Sequence, residues 1–279
     1  ASLYKKKNSI LFSFENYISK KLNKKFNNNY QKILDWSIKN SPEFWSYFWD
    51  FTKIKGIKST KKIKKSKIFY KNLFLPNSKL NFAENLLSKN NNEKAVTFIS
   101  ENDFREERSW AKLNENTRNL VQFFKNKKIK QQDRIAAYMP NIIETVEAFI
   151  ATTSVGAIWS SCSPDFGVRG VIERFSQINP KLLFITDQYF YNGKQINILD
   201  RLPEILKEIP SIKYVIITNY PGKKFIKNKK KLKKVQIFKW TELMKINSNK
   251  INYFNFDFEQ ELAILYSSGT TGKPKCICH

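Results

Sequence analysis

The chain has 279 residues, room for one large domain or two ordinary ones, and its 41% hydrophobic and 15% aromatic residues supply a sizeable core. The formal net charge of +26 comes from 50 Lys+Arg against 24 Asp+Glu. The excess is nearly all lysine, spread along the chain as a general compositional bias, and arginines, the usual base readers, are few. Composition thus argues against a specific nucleic-acid partner, while a positive field favours anionic ligands such as nucleotides. There is no apolar run of about 18 residues that would span a membrane. The basic-then-apolar start, Lys5 to Lys7 before Ile10-Leu11-Phe12, is interrupted by Glu15 and Asn16 and does not read as a signal peptide, so a cytoplasmic location is expected. Three cysteines, with Cys276 and Cys278 one residue apart, make no disulfide framework. The spacing in Cys276-Ile277-Cys278-His279 does not suit a zinc knuckle, so no metal site is expected and both cysteines read as buried strand residues.

Residues 1 to about 90 are rich in aromatics and lysine, with little strand pattern. Tyr30 to Trp36 reads as the end of a helix. Ser41-Pro42-Glu43 starts another, with proline in its first turn and an early acid. Phe44, Trp45, Phe48, Trp49 and Phe51 follow at helical spacing, which predicts a cap glued together by rings. Thr52 to Lys67 carries eight lysines and reads as a solvated connector. Asn81 to Leu87 is a short helical turn.

From Ala95 the pattern alternates. Ala95 to Ser100 is a strand, and Phe104 to Ser109 pairs back on it. Trp110 to Phe124 is a helix, and Arg134 to Met139 a buried strand closed by Pro140. Asn141-Ile142-Ile143-Glu144 resembles a capping box for a helix that Gly156 ends. Ala157 to Ser161 is the next strand, followed by a helix with Asp165 as its cap and Val168, Val171, Ile172 and Phe175 along it. Leu182 to Thr186 is a strand, Ile198 to Ile209 a helix and Lys213 to Thr218 a strand. Pro221 to Lys234, with eight more lysines, is an exposed loop. Leu262 to Tyr266 is the last strand. Such alternation predicts right-handed crossovers and a mostly parallel sheet, with ligands at the carboxyl ends of its strands.

At that end lies Tyr266-Ser267-Ser268-Gly269-Thr270-Thr271-Gly272-Lys273-Pro274-Lys275. Gly269 and Gly272 tolerate positive φ and let backbone N–H groups converge into an anion-binding nest. Ser267, Ser268, Thr270 and Thr271 add hydroxyl donors, and Lys273 and Lys275 add charge. A Walker A loop needs G-x-x-x-x-G-K-[ST]. Here Pro274 stands at the magnesium-binding Ser/Thr position and Ser267 at the first glycine, so that motif is absent. The residues predict a strand-then-loop that holds a polyphosphate.

This stretch closely resembles the phosphate-binding signature of the AMP-forming acyl-CoA synthetases of the adenylate-forming superfamily. Asp133 to Asn141 and Ala148 to Ser160 are similar to the family's strand-and-helix units, and Ser41 to Phe51 to the N-terminal cap of its acetyl-CoA and acetoacetyl-CoA branches. Trp159 to Gly167, Tyr191-Asn192-Gly193-Lys194 and Tyr266-Ser267-Ser268 with Cys276 resemble the acetoacetyl-CoA branch most. Cys276 departs from the glycine most of the superfamily has there.

The resemblance implies an α/β fold with a mostly parallel sheet flanked by helices, preceded by a helical aromatic-rich cap. Residues 1–90 would form the cap region, and 91–279 the N-terminal part of the AMP-binding domain. It implies a two-step ligase using ATP with Mg2+, a short carboxylic acid and coenzyme A. Ser267, Ser268, Gly269, Thr270, Thr271, Gly272 and Lys275 would bind ATP phosphates, Lys275 would offset the charge of departing pyrophosphate, and Lys194 would face a coenzyme A phosphate. The family's adenine, ribose and acyl contacts lie downstream of its phosphate loop, so these residues are expected to be the first portion of a ligase, incomplete and inactive alone. An acetyl- or propionyl-CoA synthetase and a non-catalytic nucleotide- or polyanion-binding module stay open as alternatives.

Overall fold

The structure is a computed structural model and describes residues 8–101, 103–226, 235–248, 250–267 and 272–279. The chain divides into two compact units, Ala1–Leu80 with Asn255–Phe258, and Asn81–Phe254 with Glu259–His279.

The first unit begins with three helices. Helix α1 (Ile10–Leu22) starts at Ser9, whose hydroxyl accepts from Phe12 N, and ends at Asn23 in the left-handed region. Helix α2 (Tyr30–Lys39) starts, rather than ends, at Tyr30, because Asn29 caps it by accepting from Lys32 N. Helix α3 (Ser41–Phe51) has Pro42 in its first turn. Phe14, Ile18, Phe26, Ile33 and Trp36 are buried, with Phe44, Tyr47, Phe48 and Phe51 packed on them. Edge-on and stacked pairs such as Phe14–Phe51 at 5.1 Å and Trp36–Tyr47 at 6.5 Å make this the ring-packed cap the spacing predicts.

The lysine-rich stretch beyond it is more ordered than a connector. Strand β1 (Gly56–Ile57) pairs antiparallel with β4 (Lys79–Leu80), and β2 (Ile63–Lys64) with β3 (Leu73–Phe74). A side chain at position 56 would meet Lys79 O at 2.4 Å, so the first pairing requires glycine there. Leu80 also exchanges two backbone hydrogen bonds with Phe256.

The second unit opens with the short helix α4 (Phe82–Leu86), capped by Asn81. A hairpin of β5 (Lys94–Ile99) and β6 (Arg105–Ser109) follows, as expected, and then α5 (Trp110–Asn126). Its centre is a five-stranded parallel sheet. In chain order the strands are β7 (Arg134–Tyr138), β8 (Ile158–Cys162), β9 (Leu182–Thr186), β12 (Tyr214–Thr218) and β13 (Gln236–Lys239); across the sheet they run β13-β12-β9-β7-β8. Between them lie helices α6 (Ile143–Ser154), α7 (Val168–Ile178) and α8 (Leu202–Glu208). The crossover from β7 to β8 runs one way across the sheet and that from β8 to β9 runs back. Right-handed crossovers therefore put α6 and α7 on opposite faces. Helix α6 packs with α5, and α7 with α8. Every residue of β9 is buried, as a strand covered on both faces must be.

Two expected caps are not made. Helix α6 begins at Ile143 with no side-chain cap, because burial of Ile142 and Ile143 fixes its start while Asn141 stays exposed. Helix α7 begins after Gly167, and Asp165 instead accepts from the Ser163 hydroxyl at 2.8 Å. Gly156 does end α6, at φ 69°. The expected helix from Ile198 is a 3-10 turn (Leu199–Arg201) leading into α8. The hairpin of β10 (Gln188–Tyr191) and β11 (Lys194–Asn197), strand β13 and the short helix α9 (Trp240–Leu243) have no counterpart in the sequence reading. Of the lysine-rich loop from Pro221, residues 227–234 lie outside the described residues; Pro221 itself is buried. Among the described residues no helix is long and apolar enough to cross a membrane.

Candidate phosphate-binding site

The predicted last strand is the first arm of a hairpin. Strand β14 (Ile264–Ser267) pairs antiparallel with β15 (Lys275–Cys278). The arm does not join the parallel sheet as a full strand. It lies beside edge strand β8, tied by one parallel bridge between Trp159 and Ala263 and by a bond from Trp159 N to Leu262 O. Because that bridge is parallel, the carboxyl end of β14 points the same way as the carboxyl ends of the sheet. The loop after it therefore emerges at the edge where ligands of such sheets bind.

The register places Ser267 opposite Lys275, so these two residues form the last pair before the loop. Ser267 is half-buried and Lys275 exposed. Ser268, Gly269, Thr270 and Thr271 lie outside the described residues. Gly272 has φ 122°, where an L side chain is strained, and the space a Cβ would enter is open. The backbone there, not crowding, selects glycine. Lys273 is exposed and Pro274 buried.

Three side chains that the sequence did not single out hold the hairpin. Ser160, buried on β8, donates to Ile264 O at 2.9 Å, and the Tyr266 hydroxyl lies 3.0 Å from its oxygen. Burial pushes the Tyr266 phenol well above its ordinary value, against the lowering effect of Ser160, so it stays neutral. Gln177, on α7, donates to Pro274 O at 2.9 Å and accepts from Cys276 Sγ at 3.6 Å. Arg174, one turn earlier, stacks over Phe166 at 4.0 Å and faces the Tyr266 ring at 5.8 Å. Of the two serines in β8, Ser160 is the buried one, and a hydroxyl on the covered face of a strand was a usable signal for it. Nothing local marked Gln177.

Cys276 and Cys278 lie on a strand as expected, but both are exposed rather than buried: β15 is the outer arm, with no strand described beyond it. Partial desolvation and the neighbouring Cys278 raise the Cys276 thiol, which keeps it protonated. Cys162 is the buried one, its thiol pushed up to about 12 by burial.

Lys194 occupies another hairpin, which leaves the carboxyl end of β9. It pairs with Tyr191 across the turn and is exposed. At the carboxyl end of β7, Tyr138 is bonded to the loop that follows β8. Tyr138 donates to Phe166 O at 2.6 Å, and Arg201 donates to Tyr138 Oη and, at 3.0 Å, to Pro164 O. Burial raises the Tyr138 phenol against the opposing Arg201 charge. These bonds fix the 163–167 loop next to the phosphate hairpin. Among the described residues no group of three or more His, Cys, Asp or Glu side chains could hold a metal ion.

Comparisons with known proteins agree with this geometry. The chain is 37% identical to the acetoacetyl-CoA synthetase of Xenopus tropicalis over 98% of its own length and 42% of the relative's. It is 36% identical to the acetoacetyl-coenzyme A synthetase of Rhizobium meliloti (strain 1021), over 90% of this chain and 38% of that one. The solved structure of an acetoacetyl-CoA synthetase from Streptomyces lividans superposes with a TM-score of 0.86 at 26% identity, covering 99% of this chain and 42% of that protein. The chain thus spans about two-fifths of the length of the relatives it matches. The family model described as AMP-binding enzyme matches residues 83–279, most of the chain and all of the sheet and hairpin, and the chain belongs to that family.

Proposed function

We propose that this chain is the nucleotide-phosphate portion of an AMP-forming acid–CoA ligase, with acetoacetate as its acid. The observation that carries the reading is the Ser267–Lys275 pair. It sets an exposed ammonium group at the mouth of a glycine- and hydroxyl-rich loop on the carboxyl edge of a parallel sheet. In the first step a carboxylate oxygen attacks the α-phosphorus of ATP, and the bond to the β-phosphate oxygen breaks to release pyrophosphate. Such chemistry depends on positioning and on neutralising charge that develops as the leaving group departs. Ser267, Ser268, Gly269, Thr270, Thr271 and Gly272 hold the β- and γ-phosphates, and Lys275 offsets the leaving charge. In the second step the coenzyme A sulfur attacks the acyl carbon and AMP leaves, with Lys194 against a coenzyme A phosphate. The described residues offer magnesium no protein cage; an ion carried by ATP phosphate oxygens fits this donor set. Residues 1–90 act as an N-terminal cap region, and the protein works in the cytoplasm.

The acid is the finer part of the proposal and rests on the names of the relatives. Acetate or propionate is the runner-up. The test is acid-dependent ATP–pyrophosphate exchange in the protein that carries this chain. Lys275→Ala should lower the exchange rate by on the order of a hundredfold with little change in KM for the acid. A variant in which only that KM moved would remove Lys275 from the leaving-group role. Higher kcat/KM for acetate than for acetoacetate would overturn the acid while leaving the ligase.

A further inference from the structure

The hairpin of β2 and β3 in the first unit ends in a surface that its own unit leaves uncovered. Between Lys64 and Leu73 the chain reads Lys65-Ser66-Lys67-Ile68-Phe69-Tyr70-Lys71-Asn72. Phe69 is 89% exposed, Tyr70 78% and Ile68 43%. Three apolar side chains in sequence, two of them almost wholly in water, are not scattered surface residues.

The tip is ordered. Asn72 Oδ1 accepts from Ser66 N at 2.9 Å and Asn72 Nδ2 donates to Phe69 O at 2.8 Å. Lys71 N and Asn72 N close a 3-10 turn on Ile68 O and Phe69 O. At the base, Leu75 N bonds Lys62 O, and Phe74 meets the Trp45 ring at 6.0 Å. The rings are presented by a braced turn, so little ordering cost remains for a partner.

Charge identifies the partner. From Thr52 to Ala83 there are ten lysines and no aspartate or glutamate, although the whole chain carries 24 acids. Lys58, Lys62 and Lys79 find carboxylates elsewhere in their unit. Lys64, Lys65, Lys67 and Lys71 flank the tip, are exposed, and have no carboxylate within ion-pair distance among the described residues. A projecting apolar tip ringed by unpaired lysines is the arrangement that enters the headgroup layer of an anionic membrane. Rings insert at the acyl boundary while ammonium groups stay with lipid phosphates and carboxylates. Single-stranded nucleic acid would also accept rings and lysines, but proteins hold it in a groove that tracks the backbone, and this is the end of a hairpin.

We propose that the 64–73 hairpin tip is a reversible docking site for an anionic lipid surface, with Phe69 and Tyr70 inserting and Lys64, Lys65, Lys67 and Lys71 engaging the headgroups. This stands apart from the ligase reading and needs none of the residues assigned there.

The test is co-sedimentation of the 279-residue chain with vesicles of phosphatidylcholine alone and of phosphatidylcholine with phosphatidylserine. The expected result is binding to the anionic vesicles only, weakened by salt. Phe69→Ser with Tyr70→Ser should lower partitioning about tenfold or more, from the loss of two inserting rings, and Lys64→Ser, Lys65→Ser and Lys67→Ser together should abolish it. Both variants should keep the parent's circular dichroism and melting temperature, since none of these side chains is buried. No binding by the folded chain, equal binding to neutral vesicles, or binding that the ring variant leaves intact overturns the proposal. So does displacement from vesicles by a short RNA bound through the same rings, or vesicle-free self-association that the ring variant removes.

Discussion

The central sheet and the phosphate hairpin lie side by side in one unit and are held by different forces. Strands β7 and β9 are almost wholly buried, so their position is chiefly the sum of many apolar contacts. The β14–β15 hairpin buries little beyond Ile264 and is positioned by Ser160, Gln177 and a single backbone bridge. On the proposed function the loop admits and releases a polyphosphate, which a core would not allow. The fold supplies a rigid edge and attaches the loop to it with a few directional bonds. Substitutions in the sheet should therefore act on the whole unit, and substitutions at the hairpin on the loop alone.

The largest effect is expected from Phe184→Ala. The ring is fully buried on β9 and lies within 6.3 Å of the rings of Phe124, Trp159 and Trp240. Truncating such a residue costs about 3–5 kcal/mol, a large part of the stability of an ordinary domain. Urea unfolding followed by circular dichroism should show the loss across the unit. A shift below about 1 kcal/mol would mean that the sheet is less tightly packed than its burial indicates.

A buried polar cluster on the α5–α6 side sharpens the contrast. Arg108 of β6 lies 3.0 Å from Glu106, 3.3 Å from Glu144 and 3.0 Å from Glu147, and Glu147 also accepts from Asn116 at 2.8 Å. One guanidinium faces three carboxylates, and its Nε is too poorly aligned with Glu147 for a hydrogen bond. Burial, more than Arg108 can offset, pushes the Glu147 carboxyl from 4.5 to about 8. The folded state then keeps a proton that the unfolded chain releases. Stability accordingly falls as pH rises from about 4.5 towards 8 and levels off above that, a change on the order of a few kcal/mol. Below 4.5 both states are protonated and this group contributes no slope. Glu147→Gln keeps the Asn116 acceptor and should flatten the slope, so that the variant outlasts its parent at pH 8 in thermal melts. A variant with the parent's slope would assign the effect to Glu144 or elsewhere.

Gly272→Ala acts on the loop alone. Its φ of 122° is open to glycine and strained for alanine, at about 1–3 kcal/mol. With open space around the added methyl, the backbone should rotate rather than the hairpin break. Nucleotide affinity measured by calorimetry should fall while the melting temperature moves little. Unchanged affinity would show that the nest does not use this conformation.

What the sequence revealed follows the same division. Four of the five sheet strands were legible because burial writes continuous apolar runs such as Leu182 to Ile185, while the mostly exposed edge strand β13 was not; α3 was legible because Pro42 and five rings fall at helical spacing. The loop was expected from its glycines and hydroxyls, most of which lie outside the described residues. The hairpin around it was not, because Lys275 to Cys278 is short and exposed, and an outer arm has no apolar pattern to betray it. The expectation of buried cysteines at 276 and 278 failed for the same reason. Arg174 and Arg201 were not singled out, yet the rarity of arginine beside so many lysines marks places where a planar donor is needed. The caps at Asn141 and Asp165 were misplaced because tertiary burial of Ile142 and Ile143, and the bonds that Tyr138 and Arg201 make to residues 164 and 166, decided where those helices begin.

The smallest effect, and the one that separates the two regions most cleanly, belongs to Gln177→Ala. Gln177 is exposed at the end of α7, so the substitution removes no buried surface, and alanine is a good helix former at that position. What is lost is one hydrogen bond to Pro274 O and the acceptor for the Cys276 thiol. A neutral bond of this kind contributes about 0.5–1.5 kcal/mol, and less where water competes. Global unfolding should therefore barely change. Pro274 lies between Gly272 and Lys275, however, and Gln177 is the bond from the sheet's helical layer to that segment. Hydrogen exchange should speed up at Lys275 to Cys278 while protection in β7 and β9 stays as it was. Phosphate-dependent affinity should drop by a few fold in step with it, about the factor that a bond of this size predicts. Exchange that accelerated throughout the sheet, or not at all, would show that the hairpin is held by packing after all and that the contrast between the two regions is wrong.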